Sequence, residues 1–503
     1  MTSTSSATPA DAAERDAGAR WLMLVALLCG QFMALLDVTI VNVAMPTIGQ
    51  SLHASGTELQ LVVAGYIISY AMLLITGARL GDLAGRRRMF LLGTALFTVA
   101  SLTCGLAPDI GALIAARFVQ GAGAAAMIPQ IMSIIQLRFS GAARARALSA
   151  YTAVLSSGFV AGQVIGGVLV TANLFGTSWR PVFLVNVPIG LVVLALVPKV
   201  VTADVPSGAR RLDLPGLAVA VPAVCLIVAP MMLGHQENWP GWLLGCIAAG
   251  CVLAGVFILV ERSVAARGGD PLLTLSVLRS PGLVPGLAAV SVLMMTYGGF
   301  LFSFAIHLQS GLGDSALRAG LTFAPCAVAF GLCGYFWRGL PPRAHPFLTP
   351  LGCLAGAAGY AAVAINQRAG GSGGALLQVG LVAVGASLAL AFSPLVTHAL
   401  VRVQARQAAD ASGLLTTAIQ LGQAIGVAAF GSVFLTLSDR SAPPPADQVS
   451  GHALAVTLGW VALAAACAAF AAVPLSRTVL AAGDSGVPGA QRQPASSGSV
   501  STR

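Results

Sequence analysis

Asp37 and Arg117 are the two fully charged side chains set well inside the long apolar runs of this chain. An ionised Asp or Arg at mid-membrane costs about 2.5–3.5 kcal/mol on insertion scales, so such residues mark ion or proton pathways by default. Asp37 lies eight residues before the end of its run at Met45, and Arg117 five residues after the start of its own at Ala112. At about 1.5 Å per residue, both are roughly 8–12 Å below the same face of a bilayer. A carboxyl group there is a reversible proton carrier, because removal from water favours its neutral form while a nearby guanidinium favours its charged form. The alternative is a buried ion pair that only fixes helix packing.

A second cluster is ARLGDLAGRRRMF, residues 78–90, which gathers four arginines and Asp82 in a chain with only 9% charged residues. Arginine accumulates in any cytoplasmic loop of a multi-span protein, whereas acidic residues contribute little to orientation. Asp82 therefore needs another reason, and its spacing puts it within reach of arginines one turn on or of a neighbouring helix. A third pattern is Gly158, Gly162 and Gly166 at i, i+4 and i+8, with Gly167 beside them. Such a ladder lets another helix approach backbone to backbone, either as ordinary packing or as a specialised seam.

Enzymatic chemistry has little to work with. The six histidines are scattered and form no His-Asp or Glu-x-x-His pair, and the nine cysteines lie in or beside apolar runs without a CxxC. No metal site, catalytic group or cofactor is expected. GAGAAA at 121–126 matches a nucleotide fingerprint in form, but no strand precedes it and it lies in an apolar run.

The elements that must position these residues are membrane helices. With 57% hydrophobic residues and a mean hydropathy of +0.86, apolar runs recur along the whole chain and leave no room for a soluble domain. Spans are expected at 21–45, 59–78, 89–107, 112–135, 148–171, 181–198, 214–234, 241–260, 282–306, 317–336, 348–366, 374–399, 411–437 and 453–475, fourteen in all. With the N-terminus inside, 22 basic residues fall on the cytoplasmic side and 4 outside, which places both termini in the cytoplasm. The net charge of +10 is then topological, and nucleic-acid binding is not expected.

GQVIGG at 162–167 in span five matches GQAIG at 422–426 in span thirteen, each after a short arginine-bearing loop. An offset of eight helices implies two six-helix halves with two helices inserted between them. The expected divisions are a disordered segment 1–20, a bundle 21–198, a linker with two extra helices 199–260, a second bundle 261–475 and a disordered tail 476–503.

RLGDLAGRRR (79–88) resembles the signature of the major facilitator superfamily, and RFVQGAGAAAMIP (117–129) its second motif. LLDVTIVNVAMPTI (35–48), SSGFVAGQVIGG (156–167) and WRPVFLVNVPIG (179–190) resemble the fourteen-span drug:proton antiporter branch, and SGLLTTAIQLGQAIGVAAFGSVF (412–434) extends the likeness into the second half. The resemblance implies an all-α fold of two six-helix bundles plus two central helices. It also implies proton coupling through Asp37 and Arg117, and a cytoplasmic gate built from Gly81, Asp82, Gly85, Arg86 and Arg87. Gly158, Gly162, Gly166 and Gly167 would form the antiporter motif. There are departures: Gln163 stands where that motif often has proline, and WRGLPPRAHPF at 337–347, in the place of the second-half signature, has no Asp. Spans nine to fourteen hold no acid, which argues against strongly dicationic substrates.

The expected function is proton-driven export of a lipophilic drug or antibiotic by alternating access, by a monomer in the cell membrane that needs only the proton gradient. Met33, Tyr66, Tyr70, Gln120, Tyr151, Tyr297 and Phe300 are candidate cavity residues from location alone. Export of an endogenous metabolite, lipid or siderophore is the alternative. A membrane-embedded enzyme and a passive channel are remote ones.

Overall fold

In a bilayer every backbone N–H and C=O must be satisfied within the protein, so apolar runs of this length become helices. The computed structural model describes residues 9–202, 213–234, 239–271, 275–368, 374–400, 403, 407–438 and 446–484, and among these there is no strand. Among the described residues fourteen long helices follow one another. The first half comprises α1 (Pro9–Leu52), α2 (Gly56–Ala84), α3 (Arg86–Gly105), α4 (Ile110–Arg138), α5 (Gly141–Ala172) and α6 (Pro181–Val200). The inserted pair is α7 (Leu214–Leu233) and α8 (Gly241–Ala266). The second half comprises α9 (Leu283–Ile306), α10 (Ala316–Phe336), α11 (His345–Gln367), α12 (Ala375–Leu400), α13 (Ala408–Ser438) and α14 (Ala446–Asp484). Thirteen are long and apolar enough to cross a membrane. The other, α5, is 32 residues long, and its stretch Ala161–Ala172 is likewise apolar.

Local chemistry sets several starts. Ser55 and Glu58 form a capping box at α2: the Ser55 hydroxyl accepts from the Glu58 N–H at 3.3 Å, and the Glu58 carboxylate accepts from the Ser55 N–H at 2.7 Å. Asp109 caps α4 by accepting from Ala112 N–H at 2.8 Å, and Ser315 caps α10. Helix runs past the expected span ends, through residues 9–20 and 476–484, where disorder was expected. Ala, Glu, Arg and Leu are good helix formers, and a membrane span supplies the costly nucleus, so helix propagates into the flanking segments.

The offset of eight orders the packing. α5 lies on α1 and α13 on α9; α6 lies on α1 and α14 on α9; α4 packs on α2 and α3, as α12 does on α10 and α11. Between the halves, α5 meets α10 and α13 meets α2, which are the same contact under the same offset. The glycine match explains part of this: a Cβ at Gly162 or Gly166 would strike Thr39 or Ile40 of α1, and one at Gly422 or Gly426 would strike the Ser291 or Met295 carbonyl of α9.

The inserted hairpin sits on one side, with α7 touching both α2 and α13. The last carbonyls of a helix have no partner within it. Here the Met232 carbonyl accepts from the Thr57 hydroxyl of α2 at 3.1 Å, and the Met231 carbonyl from Ser432 of α13 at 2.9 Å, so the end of α7 bridges the two halves. Most of α8 faces outward, with Leu243, Gly250 and Glu261 its buried residues.

Candidate functional site

Small residues create the site by letting backbones approach. A Cβ on Gly121 would collide with the Tyr66 carbonyl of α2, and one on Gly123 with the backbone of Phe97 on α3. The GAGAAA segment is thus a packing seam, and it holds Arg117, one turn earlier on α4, against α2. The Arg117 Nε donates to the Val62 carbonyl at 2.9 Å, and its guanidinium stands 4.5 Å from the centre of the Tyr66 ring and 5.7 Å from that of Phe183.

Asp37 and Arg117 form an ion pair between Oδ2 and Nη1, with the side chains 0% and 1% exposed. Gln120, one turn along from Arg117, completes the contact: its Nε2 donates to Asp37 Oδ1 at 2.8 Å and to Ser101 Oγ at 2.7 Å. Its Oε1 accepts from Arg117 Nη1 at 2.7 Å and from the Cys104 thiol at 3.7 Å. Asn186 of α6 donates its Nδ2 to Asp37 Oδ1 at 3.2 Å. The position of Asn186 follows from Pro188, which has no N–H for the Leu184 carbonyl; α6 breaks for one residue at Val185, immediately before Asn186. Two helices besides α1, α4 and α6, therefore reach one buried carboxylate, and α2 and α3 hold its partners Arg117 and Gln120 in place. Dry groups of this kind must be paired or neutral, and an arrangement able to be either is suited to taking up and releasing a proton.

Other candidates fall differently. Tyr66 and Tyr70 keep their rings 6.2 Å apart on α2, and Met33 is fully buried on α1. Tyr151 and Tyr297 are half-buried. Phe300 lies apart from the Asp37 network, in an aromatic cluster of the second half with Phe304, Phe323 and Tyr360 at 5.3, 5.9 and 5.3 Å. Gly158, Gly162 and Gly166 pack on α1, while Gly167 meets the backbone of Ala316 and Leu317 on α10, so the ladder serves two seams.

At the other end of the bundle, Asp82 pairs with Arg86 at 2.7 Å, one turn on. Gly85 joins α2 to α3 at φ 96°, a backbone that other residues rarely adopt, and a Cβ on Gly81 would hit the Gln130 amide. Arg87 donates to the Pro198 carbonyl at 3.1 Å. Arg79, 5% exposed, donates to the Asp270 carbonyl at 2.8 Å and to that of Pro271, tying α2 to the segment that leads into the second half. Topology alone would explain Arg79 as a loop charge; its burial and its partners come from the fold. Glu261 was also missed, because the span was expected to end at residue 260 and α8 continues to Ala266.

Asp82→Asn tests the gate. The Asp82–Arg86 pair is 40% and 24% exposed, so its loss should change stability by less than about 1 kcal/mol. A gate equilibrium shifted by that amount would lower transport by up to about five-fold. Transport by purified protein in vesicles should fall while cysteine labelling of the chain ends reports unchanged orientation; unchanged transport would remove Asp82 from the gate.

Three hydrogen bonds join the halves toward the end of the bundle that holds Met45, opposite the Arg79 contacts. Gln60 donates to the Val427 carbonyl at 3.3 Å, Gln309 to the Val43 carbonyl at 2.9 Å, and the Leu317 N–H to Thr171 Oγ1 at 3.1 Å. Just beyond these, in the short loop before α10, Asp314 pairs with Arg318 at 3.1 Å; burial pushes its carboxyl above the usual range and the arginine opposes this.

The model of the Major Facilitator Superfamily matches residues 27–427. The chain is 35% identical over 438 residues to "Probable actinorhodin transporter" of Streptomyces coelicolor, covering 86% of this chain and 76% of that protein. It is 34% identical over 448 residues to "Multidrug resistance protein Stp" of Mycobacterium tuberculosis, covering 86% and 80%. With "Cephamycin export protein CmcT" of Amycolatopsis lactamdurans it shares 33% identity over 439 residues, 85% and 87% of the two chains. Among solved structures, a bacterial homologue of the human lysosomal transporter Spinster, in an inward-facing and unoccupied conformation, superposes with a TM-score of 0.67 at 17% identity, over 92% of this chain and 98% of that one.

Proposed function

The chain belongs to the major facilitator superfamily, and from that premise we propose that it is a proton-coupled antiporter that exports lipophilic small molecules, drugs or antibiotics, by alternating access. The observation that carries the reading is the dry Asp37–Arg117 pair in a chain whose relatives are named for drug resistance and antibiotic export. Asp37 takes a proton from the outer side and releases it inside, and substrate moves the opposite way. Arg117 stabilises the charged form of Asp37 and couples the site to substrate.

Gln60, Gln309 and Thr171, which join the halves toward the Met45 end, serve the outer gate. Asp82, Arg86 and Arg87, with Gly81 and Gly85 shaping the turn, serve the cytoplasmic gate. The arginine distribution supports a cell-membrane protein with both termini in the cytoplasm. The protein acts as a monomer without a cofactor. Export of a single self-made compound is the second reading, favoured by relatives named for one antibiotic each.

Everted membrane vesicles test both. On adding compounds from a panel of antibiotics and lipophilic cations, at least one should collapse a preformed pH gradient in proportion to the protein present. If none does, and none accumulates in the vesicles, the antiporter reading fails.

A further inference from the structure

The Asp37 network holds one buried acceptor that is idle. Asn186 is fully buried, its Nδ2 donates to Asp37 Oδ1 at 3.2 Å, and its Oδ1 has no hydrogen-bond partner. The amide is oriented this way for an electrostatic reason: with the carboxylate charged, turning the amide over would set two oxygens against each other. A buried carbonyl without a donor is unfavourable, so the charged state of the site is kept with one bond unmade.

Protonation of Asp37 changes what the carboxyl requires. Ionised, it only accepts; neutral, it carries an O–H that needs an acceptor. The other two polar partners cannot provide one. Arg117 has donors only. Gln120 uses both amide hydrogens, on Asp37 and Ser101, and its oxygen already takes Arg117 and Cys104, so turning it would break several bonds to make one. Asn186 would give up a single bond.

We propose that Asn186 is the positioning residue that accepts the proton of neutral Asp37, its side-chain amide turning over with each protonation. A proton arriving from water bonds to Asp37 Oδ1, the Asn186 N–H bond to that oxygen is released, and Asn186 Oδ1 takes the new O–H. Loss of the proton to water reverses these changes, and no other bond is made or broken. The proposal rests on Asp37 being the coupling carboxyl. Facing Asp37 are Arg117 from α4, Tyr66 from α2 and Cys104 from α3. Of the other helices packed on α1, α5 bears the phenol Tyr151 with Arg144 and Arg146 at its far end, and α6 only Lys199 at its far end. α9 bears Tyr297, with His307 just past its end, and α10 bears Cys326, Cys333 and, at its start, Arg318.

Infrared titration of the full-length protein in lipid nanodiscs reads this without a substrate. Wild type should show a protonated-carboxyl band that grows as pH falls and that is missing from Asp37→Asn. In Asn186→Leu the neutral acid loses its one acceptor, while the carboxylate keeps Arg117 and Gln120. Its band should therefore appear at higher frequency, as for an O–H without a partner. Asn186→Val, which is smaller, should behave alike if the leucine disturbs folding. A band still present in Asp37→Asn overturns the coupling assignment and this proposal together. A band lost in Asp37→Asn, but unmoved in frequency in the Asn186 variants, overturns the role of Asn186 alone.

Discussion

Asp37→Asn is expected to abolish proton-driven export while leaving the protein folded and in the membrane. Asparagine matches aspartate in shape and still offers one oxygen to Arg117, but it takes up no proton near neutral pH. Arg117 keeps its bonds to the Val62 carbonyl and Gln120 and its place on the Tyr66 ring, so the cation remains partly compensated. Export against a concentration gradient should fall about 100-fold or more, the scale of losing a positioned proton-transfer group. Movement of substrate down its own gradient should persist, now insensitive to an imposed pH gradient. The measurement is paired flux in proteoliposomes, with and without a proton gradient, for variant and wild type. Export that still follows the pH gradient in the variant would assign coupling elsewhere.

Arg117→Leu should have the largest effect on stability. Removing one partner of a buried ion pair leaves the other uncompensated, which costs about 3–5 kcal/mol, and here Gln120 and Asn186 are the remaining donors to Asp37. The variant should melt well below wild type in detergent. Removing both charges, in Asp37→Asn with Arg117→Leu, should recover much of that loss because no isolated charge is then buried. The double-mutant cycle of melting temperatures checks this. Losses that simply add would mean that each side chain acts alone, with no coupling across the pair.

Much of this was legible in the chain. Span number, the insertion of two helices and the pairing of halves follow from lengths and from GQVIGG against GQAIG, because lipid permits only helices of a given length and a repeat keeps its packing partners. Asp37 and Arg117 were legible for a related reason: charge inside an apolar run is costly enough to stand out one residue at a time. Asn186, Ser101 and Gln120 carry no such penalty when read singly. Neutral amides and hydroxyls are common in membrane helices, and Gln120 was seen only as a cavity residue. The GAGAAA segment matched a nucleotide fingerprint in form only, and its glycines are the seam on which α4 meets α2 and α3.

The sequence by itself determined which segments are long and apolar enough to be membrane helices, which glycine repeats correspond and which two charges must be compensated, because hydropathy, helix rise and charge burial act locally along the chain. Tertiary structure alone decided that the two charges meet and that Gln120 is locked while the Asn186 carbonyl stays idle. It also decided that Arg79 is buried on the Asp270 and Pro271 carbonyls and that the end of α7 bridges α2 and α13. Each of these depends on side chains from distant helices arriving at one point, and a hydrogen bond a few ångströms long is set by how helices pack, which no periodicity along a single helix encodes.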